Sequence, residues 1–229
     1  MYKLSRNYEN AEKVLYVGIG KYDTPVIVPH EEEIDVENWI GFNYARGCDE
    51  PQEHGVHFFL DDYQFQRVWT RPDVYANMLS RFKVVCAPDF SVYLDFPKAL
   101  QVYNHYRKHW VARYWQEHGV TVIPTINWAY KDSFDWCFDG EPYGGVVAVS
   151  SVGEMGSKEL RKLFMDGYNE MMERLHPRQI IFHGEIPDEC EGNIVQIPTY
   201  QMRLRQIDID KGIHRDPSKI FAQERRKEL

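Results

Sequence analysis

The chain has 229 residues with 27 basic and 35 acidic side chains, and its formal net charge is −8. Length permits one large domain or two small ones, of which we favour one large domain. The acidic balance argues against a broad surface that neutralises nucleic-acid phosphates. Four scattered cysteines without a Cys-x-x-Cys pair indicate neither a zinc ribbon nor a disulfide framework. No apolar run approaches the roughly 20 residues of a membrane span, and no secretory signal is recognisable. These features predict a cytoplasmic protein with reduced cysteines and no membrane contact.

The first part of the chain mixes turn residues with short apolar runs. Residues 1–35 predict an N-terminal arm, either irregular or a small hairpin. The first core strand is expected at Trp39–Tyr44 and a second at Val56–Leu60. Helical periodicity follows from Gln64 to Phe82.

Two longer helices have the clearest patterns. One begins after Pro97, and its aromatic residues recur at steps of three and four until Gly119 ends it. The other has Ser157 as its N-cap and carries a continuous apolar stripe. The polar residues of the first helix are predicted on the face opposite its aromatic residues: Gln101, Asn104, His105 and Lys108.

Further apolar runs at Val84–Cys86, Val120–Ile123, Val146–Val149 and Ile180–Phe182 alternate with these helices. This alternation predicts an α/β protein with right-handed crossovers and a parallel sheet covered on both faces. About five or six strands suit a (β/α) repeat, either a barrel-like or incomplete TIM-type barrel or an open doubly wound sheet. The barrel-like form is favoured, because every strand ends in polar or aromatic residues, whereas an open sheet concentrates its site at one switch point.

After Tyr200 the chain becomes strongly charged. We therefore expect a single α/β domain at 36–202, followed by a charged C-terminal tail at 203–229. The tail is the one predicted contact for nucleic acid or a partner protein, although a solvated charged tail is the favoured alternative. Its basic residues are Arg203, Arg205, Lys211, Arg215, Lys219, Arg225, Arg226 and Lys227.

Several sequence blocks occur in an order that is known from one family. These blocks are Asp61-Asp-Tyr63 with Trp69, Pro88–Pro97, Val122–Pro124 with Trp128, Cys137–Gly140, and Val147–Ser150. Over residues 55–200 the chain resembles the domain of unknown function 4417 family of phages and mobile elements. The resemblance implies a protein made in the cytoplasm of a bacterial host cell, and it assigns no catalytic residue.

Carboxylates at the predicted strand ends are the candidate catalytic residues. Asp89 and Glu185 each follow an apolar strand, where α/β proteins bind their ligands. Together with Asp61 or Asp62 they would form an acidic ring that binds a hard divalent metal or hydrolyses a substrate. The alternative for Asp61 and Asp62 is a pair of turn and cap carboxylates, and for Asp95 a helix cap is favoured over catalysis.

Polar and aromatic residues follow the same strands. Ser150 and Ser151 open a glycine-bearing loop that would hold phosphate at a helix N-terminus, although an ordinary turn explains it about as well. His183 would supply a base or ligand, the commoner alternative being a buried, hydrogen-bonded histidine. His54 and His57 should face opposite sides of a strand, which argues against zinc. The predicted ligand-binding residues are Trp128, Ser150, Ser151, Tyr93, His183 and Asn127.

Two functions fit these features. The first is a hydrolase that acts on a nucleotide-like or sugar-bearing ligand, because rings beyond strand ends can stack on a base or a sugar. The second is a non-catalytic protein that sequesters a ligand or engages a host defence or replication protein. The sequence does not decide between them, nor whether the protein is an enzyme.

Overall fold

The computed structural model describes residues 8–210 of the chain. Most of the predicted basic tail, from Lys211 onwards, lies outside the described residues. Within the described part, no helix is long and apolar enough to cross a membrane.

Nine short strands form three hydrogen-bonded sheets in the described part of the chain. The N-terminal segment contains a small hairpin, one of the two forms expected for it, in which two strands pair antiparallel. All other strand pairs are parallel. The hairpin is β1 (Gly18–Ile19) and β2 (Thr24–Pro25); one parallel sheet is β3 (Asn38–Gly41), β4 (His54–His57), β5 (Val84–Cys86) and β6 (Val122–Ile123); the other is β7 (Val146–Ser150), β8 (Gln179–His183) and β9 (Ile194–Ile197).

Helices alternate with the parallel strands, which confirms an α/β protein. The helices are α1 (Arg67–Thr70), α2 (Pro72–Leu79), α3 (Lys98–Glu117), α4 (Lys158–Leu175) and α5 (Tyr200–Asp210). The longest helices, α3 and α4, follow β5 and β7, as the sequence predicts. Ser157 caps α4 by accepting a hydrogen bond from the backbone N–H of Leu160 at 3.2 Å.

The parallel strands pair in chain order, and a single bridge links the two parallel sheets. Thr125, just after β6, pairs with Ala148 of β7, and Ile126 donates a backbone hydrogen bond of 2.8 Å to Ala148. The described strands show no reversal of order, which a doubly wound sheet requires. They do not close into a barrel either.

Side chains alternate between two faces of the strands, as strand geometry requires. Val85 packs with the helices that cover the first sheet, whereas Val84 and Cys86 join a cluster that residues from both parallel sheets share. Val147 likewise points towards α4, and Ala148 into the shared cluster. One face of each parallel sheet therefore packs into a shared apolar cluster.

The N-terminal segment packs onto the helices. The side chain of Asn10 donates to the backbone oxygen of Trp69 at 2.8 Å, and the indole of Trp110 donates to the backbone oxygen of Val14 at 3.1 Å. Ile27 is fully buried in the core under α1, α2 and α3. Residues 8–35 thus cover part of the core.

Helix α3 differs from the sequence prediction in two ways. Asp95 does not cap it, because the N-cap is Pro97 and no side chain accepts a cap hydrogen bond. Its polar face is buried: the exposed fraction is 2% for His105 and 0% for Lys108. The reason is that partners distant in the chain cover this face, as the backbone oxygen of Thr125 does by accepting a hydrogen bond from Lys108 at 2.7 Å.

A cleft at the strand ends and a buried polar network behind it

A cleft of about 880 Å³ opens at the carboxyl ends of the parallel strands. It is lined by segments that follow β4, β5, β6 and β7, by the last residue of β8 and by the start of α5, because parallel strands end at the same edge of a sheet. More than half of the predicted site residues contribute to this lining. They are Asp61, Asp89, Tyr93, Asn127, Trp128, Ser150 and His183.

Asp89 is the most perturbed carboxyl group of this cleft. Its Oδ1 atom accepts a hydrogen bond of 3.0 Å from the side-chain amide of Asn127. Burial raises the pKa of Asp89 to about 6, the positive charge of Lys108 works against this rise, and the negative charge of Asp62 adds to it. A carboxyl group with this pKa can accept or donate a proton near neutral pH.

Asn127 connects the cleft to a buried lysine. The Nζ atom of Lys108 lies 3.1 Å from Oδ1 of Asn127 and 2.8 Å from Oε1 of Glu141. The side chains of Lys108 and Glu141 are both fully buried. A buried ion pair of this kind needs further hydrogen bonds to offset desolvation, and Thr125 and Asn127 supply them to the ammonium group.

The two neighbouring aspartates Asp61 and Asp62 have different surroundings. Asp61 is exposed and lines the cleft. Asp62 instead accepts hydrogen bonds from the backbone N–H of Ser91 at 3.2 Å and from its hydroxyl at 2.6 Å. Asp62 therefore holds the loop after β5, and it is not part of the cleft lining.

Glu185 does not share the cleft with Asp89. It lines an adjoining cavity of about 600 Å³, into which Arg203 and Arg205 of α5 also project. Ser151 lines that cavity too, and its hydroxyl donates to the backbone oxygen of Glu185 at 2.6 Å. The two linings share His183 but neither contains both Asp89 and Glu185, so the structure does not bring these two carboxylates into one lining as the sequence predicts.

His183 lies between the two cavities and lines both. Its Nδ1 atom is 3.1 Å from the hydroxyl of Ser150, and its ring stacks on Phe59 at a centroid distance of 4.7 Å. Burial lowers the pKa of His183 to about 4, and burial with the neighbouring His183 lowers the pKa of His57 to about 3. Both rings are therefore neutral at pH 7.

Two aromatic residues form the outer wall of the cleft. Trp128 is half-buried and lies against α4, with its ring centroid 5.5 Å from that of Phe164. Gly167 of α4 allows this close approach, since a Cβ atom there would lie 2.3 Å from the indole. Tyr93 is 55% exposed at the cleft rim and is available for stacking.

A buried cluster behind the cleft was not predicted from the sequence. His105, His109 and Glu141 lie together there with Lys108. The signal was present as His-x-x-x-His, a spacing that places two side chains on one face of a helix. The third member comes from the loop before β7, and no local pattern connects it with α3.

The fold and the cleft define an α/β protein whose parallel strands end at a cavity large enough for a small organic ligand. Residues 18–201 match the family described as Domain of unknown function (DUF4417), and the chain belongs to that family. This confirms the resemblance drawn from the sequence blocks.

Curated relatives of the chain come from phages. It is 38% identical over 171 residues to the "Gene 1 protein" of Mycobacterium phage L5, which covers 72% of this chain and 74% of that protein. It is 39% identical over 165 residues to the "Gene 1 protein" of Mycobacterium phage D29, covering 71% of this chain and 61% of that protein. No solved structure matches the chain. The chain is thus similar to proteins of two mycobacteriophages.

Proposed function

We propose that the chain binds a nucleotide-like or sugar-bearing small molecule in the cleft and that Asp89 exchanges a proton with it during hydrolysis. The observation that carries this proposal is the position of Asp89 in the cleft with a pKa raised to about 6. General acid–base catalysis is most effective when the pKa lies near the working pH. Asn127 holds the carboxyl group in one orientation.

The lining of the cleft supports the proposed class of ligand. Trp128 and Tyr93 offer ring faces on which a base or sugar can stack. Asn127 and Ser150 add neutral polar groups for ligand hydroxyls or amides. We also infer an open, barrel-like arrangement of the strands, supported by the apolar cluster that both sheets share.

A second candidate is a non-catalytic protein that sequesters the same ligand. Glu185 lies in the adjoining cavity, so of the other predicted catalytic carboxylates only the exposed Asp61 lines the cleft with Asp89. In this case the ligand would be bound and left unchanged. Either function would operate in the cytoplasm of the bacterial host. As an alternative to sequestration, the non-catalytic protein would engage a host defence or replication protein, with residues 203–229 as the contact.

The test is a calorimetric screen of the purified full chain against nucleosides, nucleotides, monosaccharides and disaccharides. Each compound that binds is then incubated with the protein and analysed by mass spectrometry. Catalysis predicts that Asp89→Asn abolishes turnover while the exposed Asp95→Asn control retains it. Binding without turnover by the wild-type protein would favour sequestration, and no binding by any compound would overturn both proposals.

A further inference from the structure

The buried cluster behind the cleft has the composition of a metal site. His105 and His109 lie one turn apart on α3, and Glu141 comes from the loop before β7. One potential ligand atom from each residue lies within 4.8 Å of the other two. Both histidines are at most 2% exposed, and the carboxylate of Glu141 is fully buried.

One ring nitrogen of each histidine contacts a backbone carbonyl, which leaves the other ring nitrogen of each as a potential metal ligand. Nδ1 of His109 is 2.9 Å from the backbone oxygen of Pro25, and Nε2 of His105 is 3.0 Å from that of Asp139. A carbonyl oxygen only accepts, so these two nitrogens carry the protons. Metal-binding histidines in proteins characteristically donate their second ring nitrogen to a backbone carbonyl or carboxylate in this way.

Two buried atoms of the cluster have no hydrogen-bond partner among the described residues. They are Nδ1 of His105 and Oε2 of Glu141. Buried polar atoms are nearly always satisfied, so each of these requires a partner. In addition, Nε2 of His109 lies 2.9 Å from Oε1 of Glu141, where a neutral ring would direct its lone pair at a carboxylate oxygen.

An added proton and a bound metal ion would supply partners to different numbers of these buried atoms. A second proton on His109 would satisfy the contact with Glu141, but it would leave Nδ1 of His105 and Oε2 of Glu141 unpartnered. A metal ion between the three side chains satisfies all three groups at once. Lys108 does not prevent this, because it binds Oε1 of Glu141 and also has two uncharged acceptors, in Thr125 and Asn127.

We propose that Nδ1 of His105, Nε2 of His109 and the carboxylate of Glu141 bind a divalent transition metal, of which Zn²⁺ fits best. Two imidazoles and one carboxylate are a recurrent zinc ligand set, and hard cations such as Mg²⁺ prefer oxygen ligands throughout. The ion fastens α3 to the loop before β7. It thereby fixes Lys108 and Asn127, which position Asp89 in the cleft.

The first experiment measures metal in the full chain, purified without a histidine tag or a chelating column. We expect about one equivalent of zinc per chain by plasma mass spectrometry, and an apparent Kd below about 1 μM when zinc chloride is returned to chelated protein. Chelation should lower Tm by several degrees, and zinc chloride should restore it. Protein that contains no metal and does not bind added zinc would overturn the proposal.

The second experiment locates the ion. His105→Gln should reduce zinc affinity at least 100-fold, whereas His118→Gln, an exposed position directly after the same helix, should leave it unchanged. If His105→Gln does not fold, the visible spectrum of the wild-type protein with cobalt in place of zinc identifies the ligand atoms. Nitrogen and oxygen ligands predict the visible bands of tetrahedral cobalt without a thiolate charge-transfer band. A thiolate charge-transfer band, or an equal loss of zinc affinity in His105→Gln and His118→Gln, would show that the metal binds elsewhere.

Discussion

Asn127 donates a hydrogen bond of 3.0 Å from its Nδ2 atom to the Oδ1 atom of Asp89. The orientation of the amide is fixed because its oxygen faces the ammonium group of Lys108 at 3.1 Å. The same side chain thus presents its donor to a carboxyl group and its acceptor to a cation. Changes in the buried network behind the cleft should therefore alter the position of the Asp89 carboxyl group.

Asp89 should lower the stability of the protein above pH 6. Its pKa rises from 3.8 to about 6 on folding, mainly through burial, so the folded state binds more protons than the unfolded state between these values. The stabilisation by the protonated form is complete below pH 3.8 and is lost as the pH rises through 6. Asp89→Asn should therefore be more stable than wild type by about 2–3 kcal/mol at pH 7.5, and about equally stable at pH 4.

Urea unfolding of both proteins at the two pH values checks this prediction. Asp95→Asn is the control, since that side chain is exposed. A stability difference between Asp89→Asn and wild type that stays constant with pH would contradict the raised pKa.

His57 should make the protein sensitive to acid. Burial and the nearby His183 and Arg203 lower its pKa from 6.5 to about 3, so the unfolded state takes up the proton first as the pH falls. Stability is retained above pH 6.5 and declines towards pH 3, with a loss of about 2 kcal/mol at pH 5. His57→Gln should remove this part of the decline between pH 7 and pH 5, as measured by urea unfolding. His118→Gln at an exposed position should keep the wild-type pH dependence, and identical slopes for all three proteins would refute the assignment.

Lys108 should contribute more to stability than any surface lysine. Lys108→Met would leave the buried carboxylate of Glu141 without its ammonium partner and remove the donor to Thr125 and Asn127. We expect a loss of about 3 kcal/mol or more in the free energy of unfolding. Lys98→Met is the control because its pair with Asp132 is more than half exposed, and its urea midpoint should not change. Equal midpoints for both variants would argue against the buried network.

Gly167 should be intolerant of a side chain although it lies inside a helix. Alanine has the better helix propensity, but its Cβ atom would lie 2.3 Å from the indole of Trp128. Displacing this packed ring should cost about 1–3 kcal/mol and weaken binding of any ligand found for the cleft. Gly156→Ala is the matched control, because a Cβ atom added there would have no other atom within 4 Å. Urea unfolding and calorimetry of both variants provide the measurement, and a more stable Gly167→Ala would exclude the steric argument.

Local patterns were sufficient for two neighbouring strands and for one helix end. The apolar run at Val146–Val149 forms a parallel strand with its predicted neighbour Ile180–Phe182. Ser157 caps α4 as expected. These features could be predicted because burial period and capping depend on residues within a few positions of one another.

The polar face of α3 could not be assigned in the same way. The sequence showed His105 and Lys108 opposite an aromatic stripe, which is typical of a solvent-exposed face. Their partners are the backbone at Asp139 and Thr125, and Glu141, all of them more than 15 positions away along the chain. Burial by distant segments depends on how the loops pack and leaves no local pattern.

The sequence by itself determined that the protein is an α/β protein with polar residues at the ends of its parallel strands, because strand period and chain order follow from local hydrophobicity. Only the tertiary structure decided which of these residues meet. Asp89 and Asn127 come together in the cleft, whereas Glu185 lies in the adjoining cavity. The physical reason is that such meetings depend on packing between residues distant in the chain, of which the stacking of His183 on Phe59 is an example.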